Sequence, residues 1–78
     1  MWVLSNIIKY EGEEILGVFS AKEKALEVFE NKKWEYRLST GVGGEVWVST
    51  KNGDYCIAQF EVDCEYEYDT GVARKKVK

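Results

Sequence analysis

Five carboxylates at alternate positions, Glu61, Asp63, Glu65, Glu67 and Asp69, are the residues whose type and spacing could do chemistry in this chain. In an extended segment they share one side and repeat every ~6.6 to 6.8 Å, close to the spacing of phosphates along a nucleic-acid backbone. Such a line can imitate nucleic acid to a basic partner and steer its approach. Two alternatives compete: a plain solvated face, or one neutralised within the molecule by Arg74, Lys75, Lys76 and Lys78. A calcium site is not expected, because alternating carboxylates point along a line instead of converging, and the oxygen-rich loop spacing of an EF-hand is absent.

Other chemistry is poorly supplied. The chain has no histidine to move protons near neutral pH. Cys56 and Cys64 lack a histidine or a setting that would lower a thiol pKa, and two thiols fall short of a zinc site. Gly41-Val42-Gly43-Gly44 lacks the Lys-Ser/Thr ending and the following helix of a phosphate loop, and reads as a connection between strands. No catalytic, cofactor-binding or metal-binding residue is therefore assigned, and the chain is expected not to be an enzyme.

Seventy-eight residues make a single domain, 1–78, burying only about 60% of its unfolded surface. Charge is divided unevenly: residues 1–69 carry seven Lys/Arg against fourteen Asp/Glu, and residues 70–78, a basic C-terminal strand or tail, carry four bases and no acid. Four cations with no interleaved aromatic argue against nucleic acid as the partner. The absence of a long apolar run and of a signal-like N-terminus argues against a membrane and for a cytoplasmic protein. Cysteines eight residues apart on one straight strand would lie ~26 Å from each other, well past the ~7 Å limit for a disulfide.

The carboxylates belong to the longest two-residue rhythm in the chain, Tyr55 to Asp69. Its even positions, Cys56, Ala58, Phe60, Val62, Cys64, Tyr66 and Tyr68, form an apolar face. Its fourteen extended steps would span ~46 Å, so a bend or a change of partner is expected on the way. Ahead of it, Trp2–Tyr10 and Ile15–Phe19 read as a hairpin with Gly12 opening a type II′ turn, pairing Tyr10 with Ile15 and Ile7 with Val18. The first strand is apolar on both sides, as an interior strand or a protomer contact would be. Ser20 and Glu23 fit a capping box. The helix that follows places Ala21, Ala25, Leu26, Val28 and Phe29 on one stripe and ends near residues 31–33.

Trp34, Tyr36 and Leu38 alternate with polar residues in a third strand. A three-residue loop, Lys51-Asn52-Gly53, is expected to set Val48 against Cys56 and Val46 against Ala58. That register gives both valines to the core and leaves Trp47, Tyr55 and Ile57 together on the other face as a binding patch. A two-residue turn at Thr70-Gly71 would bring Glu67 opposite Arg74, Glu65 opposite Lys76 and Asp63 opposite Lys78, with Cys64 meeting Val77.

Gly17-Val18-Phe19-Ser20 with Glu23, Lys24 and Ala25, then Tyr55, Ile57 and Phe60-Glu61-Val62-Asp63, resemble a small uncharacterised family of bacterial and phage proteins. The likeness covers about half the chain and consists mostly of packing and capping residues. It implies a small α+β fold and a phage or prophage setting, and carries no catalytic or ligand residues. The architecture expected is α+β, an antiparallel sheet of five to six strands with one helix on one face (ββαβββ). The function expected is a non-enzymatic protein-binding module, a phage accessory or anti-defence factor, acting through Trp47, Tyr55, Ile57, Glu61, Asp63, Glu65, Glu67 and Asp69. The alternative is a structural homo-oligomer pairing through exposed strands and outer aromatics.

Overall fold

The computed structural model describes residues 1–8, 10–69 and 72–76. Strands β1 (Trp2–Ile8) and β2 (Gly12–Phe19) form a hairpin, and helix α1 (Lys22–Asn31) follows. Then come β3 (Tyr36–Thr40), a 3-10 turn at Val42–Gly44, β4 (Val46–Thr50), β5 (Gly53–Gln59), β6 (Tyr66–Asp69) and β7 (Val72–Lys75). The first five strands make an antiparallel sheet in the order β2-β1-β5-β4-β3, and β6 and β7 form a separate pair. This is the expected α+β class, with β1 interior as its two apolar sides require.

The core lies between α1 and one sheet face, where Leu4, Val48, Tyr55 and Ile57 meet Ala25 and Phe29. Phe29 is its centre: the Tyr55 ring stands edge-on at 5.0 Å, with Tyr36 at 5.9 Å and Trp34 at 6.4 Å. The Tyr36 hydroxyl donates to Glu30 at 3.2 Å, tying the last turn of the helix to β3.

This face is the reverse of the one expected. The β4–β5 loop has two residues, Lys51 and Asn52, so Val48 pairs with Tyr55 and Val46 with Ile57. A slip of one residue moves every side chain of a strand to the other face. Tyr55 and Ile57 thereby enter the core, while Cys56 and Ala58 turn away from the helix. Thr50 holds this register: its hydroxyl donates to the Gly53 carbonyl at 2.9 Å and accepts the Asn52 amide at 3.0 Å. The slip also gives the larger pair, Tyr55 and Ile57, to the covered face, and burial free energy scales with apolar area.

The first hairpin is also offset. Ile8 pairs with Gly12 and Ile7 with Glu13, and a bulge at Leu4/Ser5 shifts the register so that Val3 meets Val18. Tyr10 and Gly12 take left-handed φ of 69° and 101° in this connection, a loop longer than a type II′ turn provides. The helix begins one residue later than a Ser20 cap would start it. Ala21 is the N-cap, without a side-chain cap bond, and its carbonyl accepts the amides of Lys24 and Ala25.

The long rhythm changes partner, as its length requires. Pairing of β1 with β5 extends to Met1 and Phe60, whose backbones exchange bonds of 3.0 and 2.7 Å. The chain then leaves the sheet, turning at Val62–Asp63 with Asp63 at φ 62°. Val62, expected on the apolar flank, is consequently exposed. The β6–β7 register puts Glu67 opposite Arg74 as expected, and Lys76 donates its amide to the Glu65 carbonyl. The expected turn at Thr70-Gly71 and the pairings with Val77 and Lys78 lie outside the described residues.

Candidate protein-interaction surface

The acidic line does not survive as one ridge. Glu61 precedes β6 and receives Lys75 Nζ at 2.8 Å and the Cys64 thiol at 3.4 Å. Glu65 lies 3.9 Å from Lys76 Nζ. Asp63 is exposed in the turn, Glu67 is exposed on β6, and Asp69 closes β6 opposite Val72. Glu61 and Glu65 are thus paired to Lys75 and Lys76, and strict alternation ends where Asp63 turns. Cys56 and Cys64 are not joined in a disulfide.

A small latch holds the start of this hairpin. Phe60 stacks on Tyr66 with ring centroids 4.4 Å apart, and the Glu61 amide donates to the Tyr66 hydroxyl at 2.7 Å. The hydrogen bond from Lys75, then that from Cys64, lowers the Glu61 pKa, and Glu61 in turn raises that of Lys75. The lowered carboxyl contributes above its ordinary range and is lost as pH falls through its folded value. The raised ammonium contributes below the ordinary lysine value and is lost as pH rises through its folded value. Both side chains of the pair are more than half exposed, where ion pairs contribute little, so the ring-current shifts of Tyr66 are expected to stay constant between about pH 5 and 9 and to weaken modestly at either extreme before the five-stranded sheet melts. Shifts that stay unchanged into acid until global unfolding would show that the pair does not hold the latch.

On the face away from α1, the Trp47 indole donates to Glu45 Oε1 at 2.9 Å, and Cys56 Sγ lies 4.0 Å from Glu45 Oε2. Glu45 and Cys56 are buried and Trp47 is half-buried. Gly41 closes over this pair, because a Cβ there would collide with the Glu45 carboxylate and the Trp47 indole. Of the expected aromatic patch, Trp47 alone lies on this side. Tyr55 and Ile57 are 6% and 0% exposed beneath the helix, so neither presents a surface to a partner.

The exposed apolar residues are elsewhere. Ile15, Leu16 and Val18 on β2 are 60%, 48% and 53% exposed, and no described strand pairs with the outer edge of β2. Natural edge strands are commonly blunted by lysine or proline. β2 has neither; its irregularity is a bulge in which Leu16 is the extra residue between Ile15 and Gly17, and its charges are Glu13 and Glu14. Glu13 and Glu14 stand beside the aliphatic residues, so this edge is apolar along one part and acidic along the other. The signal in the sequence was Ile15-Leu16-Gly17-Val18, whose consecutive apolar residues break the alternation of a strand with one covered face.

A family profile described as Domain of unknown function (DUF7336) matches residues 1–74. The chain belongs to the DUF7336 family. That match takes in the five-stranded sheet, the helix and most of the β6–β7 pair, so the DUF7336 domain includes both the β2 edge and the latched hairpin. No curated protein and no solved structure matches the chain. No helix among the described residues is long and apolar enough to cross a membrane.

Proposed function

We propose that this chain is a non-enzymatic, cytoplasmic protein-binding module that takes up an extended partner segment along the outer edge of β2. In a phage or prophage setting, suggested by the resemblance of residues 17–20 and 60–63, such a module acts as an accessory or anti-defence factor. The observation that carries the reading is the exposure of Ile15, Leu16 and Val18 on a strand whose outer edge no described strand pairs. Strand addition supplies affinity through main-chain hydrogen bonds and specificity through alternate side chains. Here the fitting segment is aliphatic opposite Ile15 and Val18 and basic opposite Glu13 and Glu14.

Fluorescence polarisation with an extended peptide that joins a valine-rich half to a lysine-rich half tests this. The wild-type chain is expected to bind, Leu16→Lys and Val18→Lys to weaken binding at least about tenfold, and Glu65→Lys with Glu67→Lys to leave most of it. Loss in the hairpin variant with retention in the β2 variants would move the surface back to the acidic segment.

A further inference from the structure

The two outer edges of the sheet carry opposite charges in one row. Following the pairing from strand to strand, Glu13, Ile7, Asp54, Ser49 and Arg37 form one row across all five strands. That row begins with an acid on the β2 edge and ends with a base on the β3 edge. Each neighbouring pair is antiparallel, so the outermost strands, β2 and β3, run in the same direction. The acidic end of β2, with Glu11, Glu13 and Glu14, therefore lies at the same end of the sheet as the start of β3. There Lys33 and Lys51 line a cavity of about 220 Å³ with Trp34, Glu35 and Asn52, and Arg37 is exposed. Glu35 is the acid among these bases. Leu38, 51% exposed on β3, lies in the next row, which runs through Val48, Tyr55 and Asn6 to Glu14, and Ser39 lies in the row of Ile15. No described strand covers the outer edge of β3.

We propose that the segment taken up by β2 is β3 of a second copy, so that the chain associates head to tail with its sheet continued from one molecule into the next. The inference rests on the reading of β2 as a strand-accepting edge and names its occupant. Translation along the sheet makes the contact parallel and puts Glu13 of one copy beside Arg37 of its neighbour. The two contacting surfaces are different, so the contact is heterologous and leaves a free β2 at one end and a free β3 at the other. A symmetric β2-to-β2 pair would be antiparallel and would instead set Glu13 and Glu14 of each copy against the aliphatic end of the other.

Light scattering over a concentration series, with mixing of two charge-reversed variants, decides the matter. For the wild-type chain the average mass is expected to keep rising with concentration; a plateau at two copies, or a strict monomer, overturns the proposal. Glu13→Arg alone sets a cation against Arg37, and Arg37→Glu alone sets an acid against Glu13, so each pure variant should associate at least about tenfold more weakly than wild type. In their mixture, every contact between unlike variants sets a cation of the first against an acid of the second, and association should recover. Failure of the mixture to recover, with both variants folded by circular dichroism, also overturns the proposal. Binding of the valine–lysine peptide by a strictly monomeric wild-type chain would remove the second copy as occupant while leaving strand addition to β2 in place.

Discussion

Replacing Phe29 with alanine is expected to cost about 3 to 5 kcal/mol, enough to unfold much of a domain of this size, whose total stability is typically about 5 to 15 kcal/mol. Phe29 is 1% exposed and meets Trp34, Tyr36 and Tyr55. No single side chain nearby can move in to fill the volume of its ring, because the surrounding aromatics come from β3, β5 and the segment between α1 and β3. Chemical denaturation followed by tryptophan fluorescence measures the loss, with Trp34 reporting directly on the site. A cost below about 1 kcal/mol, within the range of surface substitutions, would mean that α1 does not pack on this face.

Ile57→Ala is the second large effect, expected at about 2 to 5 kcal/mol. Ile57 is fully buried between Leu4 and Val46, its neighbours in the β1 and β4 pairings. Ile15→Ala removes the same number of carbons from an exposed position on the β2 edge and is expected to stay within about 0.5 kcal/mol of wild type. The contrast tests the register of β5: had the three-residue loop formed, Ile57 would have lain on the face away from α1 and Cys56 beneath the helix. Equal effects of the two substitutions, measured by urea denaturation, would contradict the face assignment.

Periodicity alone specified the α+β class, the hairpin–helix–hairpin order and the β6–β7 register, because alternating patterns and acid–base matches are local. The face of β5 was not legible. Tyr55-Cys56-Ile57-Ala58 is apolar at every position, so alternation cannot choose a side, and the choice fell to Thr50, whose hydroxyl closes a shorter loop on Gly53. The same ambiguity placed Tyr55 and Ile57 on a binding patch when their rings and branches lie under α1. The helix start shifted for a related reason, since Ala21 supplies the first carbonyl of the helix and leaves the Ser20 box unused. Glu61 and Glu65 were recognisable as acidic but not as paired through Lys75 and Lys76 across a turn at Asp63. The β2 edge was hidden because an apolar strand segment reads as core until the strand order shows that it lies outermost.

Amide hydrogen exchange along β2 in the dilute, unassociated chain addresses the open edge most directly. Alternate β2 amides, those not bonded to β1, are expected to exchange far faster than the amides of β1 and β5, and to become protected when an extended segment binds or when association is driven by concentration. Uniform protection of β2 at high dilution would show that the edge is already covered within one molecule and is closed to a partner strand.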